Sequence, residues 1–166
     1  MLPSSQPPST ILRTITIRPA TIADVPGIAS LVLANAIQGK VLPRSAAAIE
    51  ATLPNWIVAS ADDELLGCVS LLRYSTGLVE VRSLVVGGRY QGLRIGSRLM
   101  EALLREARRR QIPMLFALTR KVSFFERFDF ELSERANFPE KVWHDCHQCP
   151  LIDACDETAM ILDLDT

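Results

Sequence analysis

Apolar and polar residues alternate along TITIRPAT (14–21), with Ile15 and Ile17 on one face, and this period of two predicts a strand. The period then lengthens. Ile28, Leu31, Val32 and Ala36 recur at helical spacing up to Gly39, behind N-cap candidates from Thr21 to Asp24 and with Pro26 near the first turn. A second, short helix is expected after Pro43, capped by Ser45 and halted by Pro54. WIVASAD and LLGCVSLLRYS read as strands, with DDE (62–64) as the turn joining them, and LVEVRSLVV (78–86) is the most strand-like run in the chain. GGRYQGLRIG follows as a loop, and SRLMEALLREARRRQ as a helix whose apolar stripe is Leu99, Leu103, Leu104 and Ala107. IPMLFALT (112–119) is apolar throughout and reads as a buried strand. KVSFFERFDF gives a short helix, and FELSE and AMILDL (159–164) give the last two strands.

The order β-α-α-β-β-β-α-β-α-β-β describes a mixed α/β domain with no internal repeat. Residues 1–13 read as a disordered Pro/Ser leader and 14–166 as a single domain. The 166 residues suffice for one hydrophobic core, and 48% hydrophobic with 22% charged residues is the profile of a globular chain. A net charge of −1 argues against wholesale binding to nucleic acid or membranes. No apolar stretch has transmembrane length, and MLPSSQPPST lacks the basic and hydrophobic regions of a secretory signal, so a cytoplasmic location is expected.

The chemistry concentrates around one strand–loop–helix unit. A short glycine-containing loop that opens a helix holds phosphates with main-chain N–H groups, helped by the positive end of the helix dipole. The unit VRSLVVGGRYQGLRIGSRLMEALL resembles the pyrophosphate loop of the GNAT superfamily of acetyl-CoA-dependent N-acetyltransferases. The resemblance covers Ile15 to Leu164. Within that superfamily the chain is most similar to the acetyltransferase domain of N-acetylglutamate synthases, which open arginine biosynthesis. That narrower resemblance rests on GKVLPRS (39–45), LVEVRSLVV, LFALTRKVSFFERFDFE (115–131) and FPEKVWHDCHQCPLIDACDETAMI (138–161).

The resemblance implies a mostly antiparallel sheet of six to seven strands flanked by about four helices. It implies acetyl-CoA as cosubstrate and a small amino acid, glutamate first, as acceptor, by direct attack in a ternary complex. Dimers are common in the superfamily. The family loop, Q/R-x-x-G-x-G/A, falls on Gln91, Gly92, Leu93, Arg94, Ile95 and Gly96, with Ser97 following. Gly96 matches, but Arg94 takes the place of the middle glycine. An arginine there is expected to keep helical dihedrals, donate its N–H and lay its guanidinium near a phosphate. In the strand before the loop, Leu84, Val85 and Val86 are implied to bind the acetyl and pantetheine arm, the N–H of Leu84 or Val86 polarising the carbonyl.

The attacking amine must lose a proton and the departing thiolate must gain one. Glu80 lies where the fold often places the base or the anchor of a relay water; its alternative reading is a solvated edge carboxylate. The tyrosine that many of these enzymes use as acid is missing from SFFERF, which leaves Ser123 or solvent as the donor. Two carboxylates on glutamate call for two cations. Arg44 and Arg82 match positions where the synthases place basic residues, with Lys40 and Arg120 as further candidates. Cys146, Cys149 and Cys155, with His144 beside them, could complete a zinc site or serve as reduced thiols in a covering loop. An enzyme of this fold acting on another amine, and a non-catalytic acyl-CoA-binding module, are the alternatives.

Overall fold

The computed structural model describes residues 15–37, 41, 43–134 and 157–165. Among them are seven strands and four α-helices, in the order that the hydrophobic pattern predicts. They are β1 (Thr16–Pro19), α1 (Val25–Ile37), α2 (Ala46–Ala51), β2 (Trp56–Ala61), β3 (Glu64–Ser75), β4 (Leu78–Val86), α3 (Ile95–Arg109), β5 (Met114–Thr119), α4 (Val122–Glu126), β6 (Glu131–Ser133) and β7 (Thr158–Asp163). The sheet order is β1-β2-β3-β4-β5-β7-β6. Strands β4 and β5 pair in parallel, through Val79↔Leu115 and Glu80↔Phe116, so α3 is the crossover that a parallel pair requires. No helix among the described residues is long and apolar enough to cross a membrane.

The chain divides into two compact units. The first comprises Met1–Ser70 and Ser83–Leu104. Its entry is fixed by a capping box, in which Thr21 N donates to Asp24 Oδ2 at 2.7 Å just before α1. Arg18 clamps the same carboxylate through both nitrogens, at 2.7 and 3.0 Å, and holds it below the usual carboxylate range. Ser45 caps α2 as expected, its Oγ accepting from Ala48 N at 3.1 Å. Asp62 and Asp63 take the turn between β2 and β3 with φ of 48° and 64°, the left-handed pair of a tight hairpin. The core gathers Val25, Ile28, Val32, Ile49, Trp56, Val58, Cys68 and Val85. Trp56 is buried and still satisfies its indole, donating to Thr52 Oγ1 at 3.0 Å.

Gly67 lets the first turns of α3 rest directly on β3. A Cβ there would stand 2.7 Å from the carbonyl oxygen of Val85, 3.1 Å from Leu99 and 3.5 Å from Ile95. Two of those are main chain or the buried root of the helix, and neither can yield cheaply. Gly67→Ala is therefore expected to destabilise the protein by about 1–3 kcal/mol, read in a urea titration. An unchanged midpoint would mean that the helix is free to lift.

The second unit comprises Leu71–Arg82 and Arg105–Thr166. Here β5 pairs with β7 along its whole length, from Met114↔Asp163 to Thr119↔Thr158, and β6 adds the outer edge. Leu78, Phe116 and Ala159 form its core, with Tyr74, Leu118 and Ile161 packed against them. Four successive residues of β4, Leu78 to Glu80 and Val81, are all buried, so both faces of this strand are covered.

Candidate functional site

In the first unit, the eight residues between β4 and α3 make one 3₁₀ turn, Gly88–Tyr90, and then two left-handed residues. Gly92 has φ of 85° with open space where a Cβ would sit, and Arg94 has φ of 61°. The expectation of helical dihedrals at Arg94 is thus corrected. This position demands the conformation that glycine adopts most easily, and arginine adopts it anyway at a cost of about 1–2 kcal/mol.

The helix starts immediately afterwards. Arg98 N donates to Arg94 O at 3.1 Å, so the N–H groups of Ile95, Gly96 and Ser97 precede the first helical hydrogen bond. The residue in front of a helix normally offers a side-chain acceptor to those donors. Arg94 has none to offer, since its guanidinium only donates. No acidic side chain lies in the first turn, while Arg108 and Arg109 complement the dipole at the far end. The start of α3 therefore presents main-chain donors with no acidic side chain in its first turn and an exposed arginine beside it. A cleft of about 580 Å³ opens next to this loop, lined by Gly27, Ser30 and Ala34 of α1 and by Gly87, Gly88 and Gln91.

Upstream, Ser83 interrupts β4. It is buried, and its φ of 56° is left-handed in the middle of an otherwise extended strand. Its carbonyl accepts from the thiol of Cys68 at 3.5 Å. That thiol is pushed up to about 12 by burial and stays protonated, a donor rather than a nucleophile. The interruption falls immediately before Leu84, Val85 and Val86, the segment expected to meet the acetyl and pantetheine arm. Nothing in RSL announces this, because serine is not a residue that signals a left-handed kink. Arg44 of the same unit sits just ahead of the α2 cap, half-buried, with its Nε shielded from solvent.

In the second unit, Glu80 is 2% exposed. The reading of it as a solvated edge carboxylate is thereby overturned: a strand covered on both faces leaves no edge there. Its Oε1 accepts from the hydroxyl of Tyr74 at 2.9 Å, and the Tyr74 ring lies 5.9 Å from that of Phe116. Tyr74 was not among the sequence candidates. Its hydrogen bond to Glu80 joins residues six apart across the turn at Thr76 and Gly77 and exists only once that hairpin has closed. Arg82 is half-buried two residues further along β4, and its Nε is also shielded from solvent. Ser123 lies exposed on α4, in an open depression shared with Arg120, Lys121, Phe124 and Arg127. Lys40, His144, Cys146, Cys149 and Cys155 lie outside the described residues. Among the described residues no group of His, Cys, Asp and Glu could hold a metal ion.

A strand with a left-handed interruption thus leads through a glycine-containing loop into a helix with no acidic first turn, within a mixed seven-stranded sheet. The profile of the Acetyltransferase (GNAT) family matches residues 27–130. An uncharacterised N-acetyltransferase of Chlorobaculum tepidum is 32% identical over 145 residues, 87% of this chain and 94% of its own. The chain belongs to the GNAT acetyltransferase family. An amino-acid acetyltransferase of Pasteurella multocida is 30% identical over 128 residues, which are 76% of this chain and 29% of that protein. The N-acetylglutamate synthase of Neisseria gonorrhoeae, solved in complex with coenzyme A and N-acetyl-glutamate, matches with a TM-score of 0.79 at 26% identity. That match covers 90% of this chain and 35% of the synthase chain. The chain thus spans roughly a third of the length of these two larger relatives.

Proposed function

We propose that this GNAT acetyltransferase moves the acetyl group of acetyl-CoA to the α-amine of an amino acid, with L-glutamate as first choice, the opening step of arginine biosynthesis in the cytoplasm. The observation that carries the acetyl-CoA half is the start of α3, whose first N–H groups precede the first helical hydrogen bond and follow a donor-only Arg94. The pyrophosphate of the cosubstrate is the anion that such a turn takes, through Gln91–Ser97. The choice of acceptor is supported by the likeness to an amino-acid acetyltransferase and to a synthase that holds coenzyme A and N-acetyl-glutamate.

In this reading Glu80 takes a proton from the substrate ammonium, directly or through a water, and Tyr74 orients its carboxylate. The freed amine attacks the thioester carbonyl, whose developing negative charge is met by the N–H of Leu84 or Val86. The collapse of that adduct expels the thiolate and sheds the second amine proton to water, and the thiolate takes a proton from Ser123 or from solvent. Arg44 and Arg82, with Lys40 as a third cation, hold the substrate carboxylates.

Release of the coenzyme A thiol, followed with acetyl-CoA and a panel of amino acids and polyamines, tests the proposal. Turnover with glutamate supports it. Turnover with polyamines alone would move the acceptor class, and tight binding of CoA with no turnover would favour a binding module. Arg82→Ala is expected to raise the KM for the amino acid about 10- to 100-fold while CoA affinity stays as it was, the loss that one charge-assisted pair produces. An unchanged KM would remove Arg82 from the substrate site.

A further inference from the structure

The loop that opens α3 has eight residues, two of them left-handed, and such a segment stays in one shape only where something holds it. Its main chain is tied at the start, where Gly87 N donates to Leu66 O at 2.8 Å and Tyr90 N donates to Gly87 O at 2.9 Å. Its side chains are exposed or half-buried with one exception, since Tyr90 is 6% exposed. The Tyr90 ring lies against Gly87, where a Cβ would come within 3.3 Å of it, and the Arg89 guanidinium sits 5.7 Å from the ring centroid. The Tyr90 hydroxyl donates to Oε1 of Glu64, the first residue of β3. A charged acceptor makes this the strong kind of hydrogen bond, and the carboxylate also holds the phenol protonated above its ordinary range.

Nothing in the reaction uses either residue. Their placement explains them instead. Tyr90 is the residue just before Gln91, where the phosphate-facing stretch begins, and Glu64 belongs to the rigid β2–β3 hairpin, paired with Ala61. We propose that Tyr90 and Glu64 form a latch that fixes the phosphate loop against the sheet, making Tyr90 the positioning residue for acetyl-CoA. The proposal rests on the reading of Gln91–Ser97 as the pyrophosphate site. Preforming that loop removes an ordering cost that would otherwise be met at each binding event, so the latch acts on cosubstrate affinity and leaves the chemical step alone.

The test is a double-mutant cycle read by calorimetric titration with CoA and by steady-state kinetics. Tyr90→Phe keeps the ring in place and removes the hydroxyl. It is expected to weaken CoA binding about tenfold, to raise the acetyl-CoA KM in parallel, and to leave kcat and the amino-acid KM within about twofold. Glu64→Ala, an exposed position whose substitution leaves the core intact, is expected to do the same. The double variant should be no worse than either single one, and Glu64→Gln, which keeps an acceptor, should recover most of the affinity. A merely structural tyrosine would lower Tm without moving the CoA dissociation constant, and that result overturns the proposal. So do losses that multiply in the double variant. If the unaltered protein binds no CoA, the loop reading falls and the latch with it; if it binds and Tyr90→Phe binds equally well, only the latch falls.

Discussion

Arg94→Glu is expected to leave the protein as stable as before, or slightly more so, while reducing its affinity for CoA about 100-fold or more. The two effects separate because they draw on different properties of one position. A carboxylate at the start of α3 suits the helix dipole, by about 0.3–1 kcal/mol. The same negative charge, however, lies over the N–H groups of Ile95, Gly96 and Ser97, where the pyrophosphate is proposed to sit. The loss of a guanidinium contact and the gain of a like-charge neighbour together exceed the roughly 2.7 kcal/mol that a hundredfold loss represents. Arg94→Gly provides the complementary reading. Glycine relieves the φ of 61° and surrenders only the guanidinium, so Tm should hold or rise and CoA affinity should fall by no more than about tenfold. Titration with CoA beside a thermal melt checks both. A glutamate variant that binds CoA normally would take the N-terminus of α3 out of the site.

Glu80→Gln should have the largest effect on turnover, a fall in kcat of about 100- to 1,000-fold, the usual worth of a positioned general base. The amide fills the same buried volume and still accepts from Tyr74, so the loss cannot be laid to a cavity or to an orphaned hydroxyl. CoA affinity should be untouched. Steady-state rates at saturating acetyl-CoA and amino acid measure it, and a Gln variant within about threefold of the unaltered protein would assign Glu80 a purely structural role.

The order of elements was legible because the hydrophobic period switches cleanly at each boundary. The run LVEVRSLVV became β4 without a residue's error, and α3 begins at Ile95, two residues ahead of the SRLM start. That a loop opens a helix here was legible from its position between a strand and an amphipathic run. Its actual shape was not, because dihedral angles at Arg94 and Ser83 are imposed by tertiary context against the preferences of both residues. Glu80 was recognised as a candidate but not as buried. An alternating strand exposes every second residue, and only the covering of both faces of β4 hides the carboxylate. Tyr74 and Tyr90 were missed for a common reason: their partners lie 6 and 26 residues away, and such pairings exist only once the hairpins have closed. Lys40 and the cysteine segment lie outside the described residues, so the zinc reading stands as it did in the sequence.

The left-handed Ser83 bears on how this protein can diverge. A buried main-chain kink does not depend on the chemistry of the hydroxyl, but it does exclude any residue branched at Cβ, for which that region is least accessible. Glycine would ease the kink and, by loosening the unfolded chain, give back much of what it gained. Position 83 should thus drift among a few small or polar residues and never settle on valine, isoleucine or threonine. Its neighbours Leu84 and Val86 are bound by no such limit, because what they are proposed to present is a peptide N–H. Descendants of this chain could change most side chains along that segment, and with them the acceptor they favour, while keeping the main-chain N–H groups proposed to meet the acetyl group.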